Sequence, residues 1–157
     1  CIAEYPMYKG VSRLVGMEVL DLVGPGTQGE FETAKKYWGD HDFFFIHIKK
    51  TDSYGEDGNL DGKSKILEEV DQALPTLLEL NPDVLIVTGD HCTPCVLKSH
   101  SWHPVPFLLW APKTHRTDLE TSFTERNCAR GGLGTFPAVE TMSLALAHAG
   151  RLNKFGA

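Results

Sequence analysis

The chain has little of three things that would point to other classes of protein. No apolar run approaches the roughly 18–20 residues that cross a membrane, and no signal-peptide pattern opens the sequence. The 15 basic residues are outnumbered by 21 acidic ones, and the net charge of −6 argues against a nucleic-acid-binding protein. Four cysteines are too few for a disulfide scaffold, so reduced thiols are expected. These absences predict a soluble, cytoplasmic protein.

What is present suits one globular domain. The chain has 157 residues, which falls within the usual range for a single domain. Its composition, 41% apolar and 23% charged, is ordinary for such a domain. The sequence starts at Cys1, in a segment unlike a natural start, so we expect a piece cut from a longer protein. A natural protein trimmed by a few residues is the alternative.

Strand patterns alternate with helix patterns along the chain. The strand candidates are short, near-continuous apolar runs, which are typical of a sheet covered on both faces. They are residues 17–22, 43–48, 84–88 and 105–110. Helices are predicted near 30–38, over 63–80 with a kink or break at Pro75, and over 137–148, and a loop is predicted over 23–29. The sequence therefore predicts an α/β fold with a mostly parallel sheet between helices.

An acidic residue and a histidine follow the third strand candidate. In open α/β sheets, ligands bind beyond the carboxyl ends of the strands, and Asp90 and His91 follow residues 84–88 after a single glycine. An adjacent carboxylate and imidazole can serve two neighbouring divalent ions, or one ion and a hydrogen-bonded partner. The alternative is that Asp90 caps a following helix and His91 is solvated.

A second group of candidate metal ligands lies in two other stretches. Asp52 and Glu56 are four residues apart around Gly55, so a helical turn would place both carboxylates on one face, where they can approach one cation. A solvated acidic turn is the alternative. His100 lies in a loop stiffened by prolines and offers an imidazole, unless its role is structural. We expect these stretches and the Asp90–His91 pair to converge around a pair of cations.

Two further motifs are less specific. Arg130 precedes two glycines, as in a phosphate-contacting loop or an ordinary glycine turn, and it joins Lys50 as a candidate substrate-binding residue. Cys92 and Cys95 have the spacing of a redox pair. The nearby Asp90 carboxylate opposes thiolate formation, and the chain has no second cysteine pair for a zinc site, so neither function is favoured.

Three runs stand in a set order along the chain. They are Lys49-Lys50-Thr51-Asp52-Ser53, Val87-Thr88-Gly89-Asp90-His91 and His100-Ser101-Trp102-His103-Pro104-Val105-Pro106. Together they resemble the cofactor-independent phosphoglycerate mutases, specifically the archaeal-type branch, within the alkaline phosphatase-like superfamily of metalloenzymes. The opening residues 8–17 and the closing residues 152–157 are similar as well, so the resemblance spans essentially the whole chain.

The resemblance implies an isomerase of glycolysis that interconverts 3-phosphoglycerate and 2-phosphoglycerate through a phosphoserine. It implies two divalent ions, commonly Mn²⁺, with Zn²⁺, Co²⁺ or Mg²⁺ in some members. By position, Asp52, Glu56 and His100 would hold one metal ion. Asp90 and His91 would hold the second, together with an aspartate and the nucleophilic serine from upstream.

The chain departs from the family pattern in three places. Many relatives have histidine where Glu56 stands, so a preference for harder metal ions is expected, and Cys92 stands where serine is usual. No segment matches the amino-terminal half, which carries the nucleophile and a cap domain. We therefore expect the carboxyl-terminal part of the metal-binding domain, inactive alone, whose partners are that missing half and phosphoglycerate rather than nucleic acid or membrane. A related metal-dependent phosphatase or phosphonate-processing enzyme, or a non-catalytic remnant of the fold, is the alternative.

Overall fold

A computed structural model describes residues 1–114 and 116–152 and confirms the α/β class. The chain divides into two compact units, of which the first contains Cys1–Asn81 and Thr93–His100. The second contains Pro82–Cys92 and the residues from Ser101 onward. The single domain expected over 1–157 stays a prediction, and residues 153–157, the end of the resemblance, lie outside the described part. Within that part, no helix has both the length and the apolar character needed to cross a bilayer.

The first unit contains two short strands and five helices. They are β1 (Ile2–Ala3), α1 (Pro6–Leu14), α2 (Gly26–Lys36), β2 (Ile46–His47), α3 (Lys50–Asp57), α4 (Leu60–Ala73) and α5 (Pro75–Leu78). β1 and β2 pair in parallel, with Ile2 opposite Ile46 and Ala3 opposite His47. Parallel pairing is thus present here, while the mostly parallel sheet with helices on both faces stays a prediction.

Local sequence explains where the helices around the candidate site begin and end. α3 ends at Asp57 and is followed by Gly58, whose φ of 71° is left-handed and therefore suits glycine. Asn59 then caps α4, because its side chain accepts a hydrogen bond of 2.9 Å from the Gly62 backbone. The break predicted at Pro75 is confirmed, since α4 ends at Ala73 and Pro75 opens α5, where its missing N–H is tolerated.

Among the described residues, the apolar core cluster lies in the first unit. It combines β1, α2, α4 and α5 with one loop residue; its buried members are Ile2, Leu20, Phe31, Ala34, Ala73 and Leu77. Burial of the larger side chains of this set, those of Ile2, Phe31 and the two leucines, stabilises by roughly 1.5–3 kcal/mol each. The core therefore holds α2 and α4 together, and α3 contacts α4.

The second unit is built on an antiparallel pair of strands. β3 (Leu85–Thr88) pairs with β4 (Phe107–Trp110), with Leu85 opposite Trp110. The helical elements that follow are α6 (Glu125–Cys128), the 3₁₀ turn η1 (Ala138–Glu140) and α7 (Thr141–His148). Pro82 is buried, but no other apolar side chain among its described residues is buried as fully as those of the first unit's core.

Two local expectations need correction, and two helices were missed. Residues 17–22 form no strand; the hydrogen bonds of this segment include one of 2.9 Å from Leu20 N–H to the Cys1 carbonyl, one of 2.9 Å from Met17 N–H to the Ser12 carbonyl and one from the Cys1 amino group to the Glu18 carbonyl. The predicted loop over 23–29 is too long, because α2 already begins at Gly26. Helices α1 and α6 were not predicted.

Candidate metal centre

In the first unit, α3 brings two predicted ligands together with a third. The segment is helical, so Asp52 and Glu56 lie one turn apart on the same side of α3, as the sequence predicted for that case. His100 Nε2 lies 3.5 Å from Asp52 Oδ1 and 3.7 Å from Glu56 Oε1. One imidazole and two carboxylates of the same unit therefore face one another.

This donor set fits a divalent cation. Ligand atoms at 2.0–2.2 Å from one ion lie roughly 3.0–3.5 Å from each other, close to the two measured separations. Separations of 3.5 and 3.7 Å are long for hydrogen bonds, so the imidazole is not locked to either acid by a short one. The Lys49 ammonium also contacts Asp52 Oδ2, which shows that this carboxylate attracts positive charge.

Asp52 is held on both of its carboxylate oxygens. Oδ2 accepts a hydrogen bond from Lys49 Nζ, and Oδ1 accepts one from the Thr93 hydroxyl. The hydrogen bond to Asp52 raises the pKa of Lys49, since it stabilises the charged ammonium. The side chain of Asp52 is 13% exposed, against 52% for Glu56. Asp52 is thus the fixed member of the set, and Glu56 is the exposed one.

Sequence reasoning missed Thr93 and Lys49 as parts of this site. Thr93 was read only as an interior residue of the Cys92–Cys95 motif, and Lys49 only as part of a run. Thr93 lies 41 positions from Asp52 along the chain, and no spacing rule connects residues so far apart. Lys49, three residues before Asp52, could have been found from the helical i, i+3 relation once α3 was known.

In the second unit, Asp90 and His91 follow β3 after one intervening glycine, at the strand end where the sequence predicts them. The His91 backbone N–H donates to Asp90 Oδ1 at 3.1 Å, and His91 Nε2 lies 3.7 Å from the same oxygen. Residues 95–98 form a turn instead of a helix, so the alternative role of Asp90 as a helix cap finds no helix to cap. The expected convergence of this pair with Asp52, Glu56 and His100 stays a prediction.

The two candidate substrate-binding residues stand in different settings. Lys50 is exposed at the start of α3 and lines a small cavity of the first unit with Glu4 and Glu30. Arg130 belongs to the second unit, where its guanidinium pairs with Glu120 at 3.1 Å. Asp118 fixes the same glycine turn by accepting from Gly132 N–H at 2.8 Å, which lowers the pKa of Asp118.

His103 and the cysteines make contacts within their own units. His103 stacks on Trp102 and contacts the Ser101 hydroxyl at 2.8 Å, which favours a structural role for this imidazole. The Cys92 thiol approaches the Pro104 carbonyl at 3.6 Å, and the Cys95 thiol approaches the Tyr54 carbonyl at 3.8 Å. All four cysteines are free thiols.

Residues 1–148 match the Metalloenzyme superfamily, and the chain belongs to that family. Over nearly its whole length it is similar to proteins named probable 2,3-bisphosphoglycerate-independent phosphoglycerate mutase. The identity is 63% with the protein of Thermosipho africanus, over 99% of this chain, and 56% with that of Aquifex aeolicus, over 100% of it. In both cases the chain spans 38% of the relative's length.

A solved structure gives the same fold. The structure of the PH0037 protein from Pyrococcus horikoshii superimposes with a TM-score of 0.89 at 33% sequence identity. The match covers 96% of this chain and 48% of that protein. The resemblance stated from the three sequence runs is therefore confirmed, because the family and the names of the similar proteins both agree with it.

Proposed function

We propose that the native protein carrying residues 1–157 is a metal-dependent phosphoglycerate mutase, an isomerase that interconverts 3-phosphoglycerate and 2-phosphoglycerate. The observation that carries the proposal is the arrangement of Asp52, Glu56 and His100 in a chain 63% identical to a protein of that name. Such a reaction belongs to glycolysis and would place the protein in the cytoplasm.

Each unit contributes one group of metal ligands in this proposal. Asp52, Glu56 and His100 hold one divalent ion, and Asp90 and His91 contribute to holding another. When bound, such ions neutralise the charge of the phosphoryl group and favour its in-line transfer between oxygens. Asp52 is suited to its role because Lys49 and Thr93 orient both of its oxygens before any ion binds.

The protein side chains also bind the substrate. Lys50 is exposed, so its flexible side chain can turn its ammonium toward a phosphate or a carboxylate. Arg130 offers a planar fork suited to the same groups, and binding there requires its guanidinium to leave Glu120. In this proposal the phosphoryl group is carried transiently on a serine, and we expect that serine in the upstream part of the native protein.

Mn²⁺ is the proposed ion for the site on α3. Two of its three ligands are carboxylates, and oxygen-rich sets favour Mn²⁺ and Mg²⁺ over the softer Zn²⁺. Glu56 replaces the histidine of many relatives and shifts the set in that direction. We expect Glu56→His to raise the affinity for Zn²⁺ relative to Mn²⁺ by about tenfold, as measured by calorimetric titration of each ion.

An enolase-coupled assay on the native protein tests the activity. With 3-phosphoglycerate and Mn²⁺, we expect formation of 2-phosphoglycerate without release of inorganic phosphate. Phosphate release in place of isomerisation would identify a related phosphatase or phosphonate-processing enzyme. Absence of both, together with Mn²⁺ affinity that Asp90→Ala leaves unchanged, would point to a non-catalytic remnant of the fold.

The isolated 157 residues provide a second assay. Because the proposed nucleophile is not among them, we expect no mutase turnover from this polypeptide alone, even when Mn²⁺ is present. Measurable isomerisation by the isolated polypeptide would contradict the proposed phosphoserine route.

A further inference from the structure

Asp52 depends on a buried hydroxyl for its orientation. A carboxylate on a short side chain turns about two bonds, and the donors on its two oxygens come from different elements. Lys49 is three residues away on the same segment, whereas Thr93 comes from the separate stretch Thr93–His100 of the same unit. The Thr93 contact therefore ties α3 to the stretch that also carries His100.

Thr93 is itself held in place by contacts with both α3 and α4. It is 4% exposed, and its carbonyl accepts a hydrogen bond of 2.7 Å from Lys63 Nζ on α4. Its backbone passes so close to α3 that a Cβ at Gly55 would lie 2.3 Å from the Thr93 carbonyl oxygen and 2.9 Å from its methyl group. Glycine at position 55 is thus what lets Thr93 approach Asp52.

The hydroxyl leaves Asp52 able to bind a cation. A carboxylate oxygen has two lone-pair sites, so Oδ1 can accept from Thr93 and still face a metal ion on the side of His100, 3.5 Å away. A hydrogen bond from a neutral hydroxyl orients the oxygen without adding a positive charge beside the ion. Lys49 orients the other oxygen but brings such a charge.

We propose that Thr93 is a positioning residue of the metal site on α3, whose buried hydroxyl aims Asp52 Oδ1 at the side of His100. The proposal rests on the proposed function, because it takes Asp52 as a metal ligand. Partners of metal ligands typically change metal affinity by 10–100-fold when they are removed. The role of Thr93 should therefore appear in the dissociation constant of the ion, whatever the activity.

Calorimetric titration of Mn²⁺ into the native protein tests the proposal. Thr93→Val replaces the hydroxyl by a methyl group of similar size, and we expect it to weaken binding at this site about 10–100-fold. Thr93→Ser keeps the hydroxyl and should bind within about threefold of the wild type. Thr33→Val is the matched control, because it also removes a fully buried threonine hydroxyl of the first unit, the donor to the Gly29 carbonyl. Its Mn²⁺ affinity should be unchanged.

A second pair of variants covers the case in which Thr93→Val does not fold. Thr93→Ser and Thr93→Ala differ from each other only in the hydroxyl, so the serine variant should bind Mn²⁺ at least tenfold more tightly. Equal affinities in that pair, or wild-type affinity in Thr93→Val, would overturn the role of Thr93.

Asp52→Ala separates this proposal from the proposed function. If Asp52→Ala abolishes tight Mn²⁺ binding while Thr93→Val does not weaken it, the metal site stands and the positioning role fails. If Asp52→Ala leaves Mn²⁺ affinity unchanged, the assignment of the site itself fails and the role of Thr93 fails with it.

Discussion

The two units present candidate ligands on unlike supports. In the first unit, Asp52 lies on a helix that contacts α4 of the apolar core, with 13% of its side chain exposed and both oxygens held. In the second unit, Asp90 follows an antiparallel strand pair, and 51% of its side chain is exposed. The difference teaches that a helix packed beside a core fixes the orientation of a ligand more firmly than a strand end in a unit whose described apolar side chains, Pro82 excepted, are not buried.

Replacement of the candidate ligand Asp52 by alanine gives the largest expected effects, and Asp90→Ala provides the comparison. Asp52→Ala should weaken Mn²⁺ binding by at least about 100-fold, because loss of outer partners alone commonly costs 10–100-fold. It should also destabilise the protein by about 1–3 kcal/mol, because Lys49 and Thr93 lose their acceptor.

Asp90→Ala should lower Mn²⁺ affinity with little change in stability, since Asp90 is the more exposed acid. Titration calorimetry and urea unfolding measure both quantities. Asp57→Ala, an exposed acid of the same helix α3, is the control and should change neither. Equal losses of stability from Asp52→Ala and Asp90→Ala would break the comparison between the units.

A pair of leucines compares the packing of the two units. Leu77→Ala removes a core side chain that is 7% exposed and should destabilise the first unit by about 2–4 kcal/mol. Leu119→Ala in the second unit removes a side chain that is 96% exposed and should change stability by less than about 0.5 kcal/mol. Urea unfolding of the native protein measures both, and a loss above 1 kcal/mol for Leu119→Ala would argue against the exposed position.

Two glycines of the first unit separate helix propensity from close approach. Gly55→Ala in α3 should destabilise the protein by about 1–3 kcal/mol, because the new methyl group meets the Thr93 backbone. Gly10→Ala in α1 has open space and should stabilise it by about 0.5–1 kcal/mol. Thermal unfolding of both variants checks the contrast, and a stabilising Gly55→Ala would contradict the packing described for Thr93.

The pH dependence of stability should differ between buried and exposed acids. Burial, and to a smaller extent the Glu4 carboxylate, raises the pKa of Glu30 to about 8 from its ordinary 4.5. The folded state therefore holds this proton more tightly, so the contribution is full below about pH 4.5 and is lost as pH rises to about 8. Asp118 in the second unit acts in the opposite sense, because its lowered pKa gives a contribution that is lost as pH falls through the lowered value.

Glu30→Gln should remove the first of these dependences. Relative to the wild type, the variant should gain about 1–2 kcal/mol of stability between pH 5 and pH 9, because it has no charge to bury. Urea unfolding at several pH values measures the difference. Parallel pH profiles of stability for the variant and the wild type would show that folding does not change the pKa of Glu30.

Much of the fold near the site could be predicted from local sequence. The apolar runs located β3 and β4, and the helical periodicity with Pro75 located α4 and α5. Helix α1 was missed although its apolar residues Met7, Val11 and Leu14 recur at the i, i+4, i+7 spacing of an amphipathic helix. Only the structure shows that these three side chains are exposed, while the polar Ser12 is buried.

The candidate site, like the fold, could be predicted from the sequence only in part. The spacing predicted that Asp52 and Glu56 share one side of the segment if it is helical, since four residues make about one turn, and the structure shows that it is helical. Residues 17–22 show the limit of local patterns. A short apolar run predicts a strand, but the run forms one only where another strand is available to pair with it.

By itself, the sequence determined which donor atoms are present and how the two carboxylates of α3 are spaced, because both follow from residue type and helical geometry. Only the tertiary structure decided which oxygen of Asp52 faces His100 and which group orients it. That decision rests on the contact of Thr93 with Asp52 and on the missing Cβ of Gly55. Contacts between residues some forty positions apart depend on how the helices pack, and no local pattern of residues encodes them.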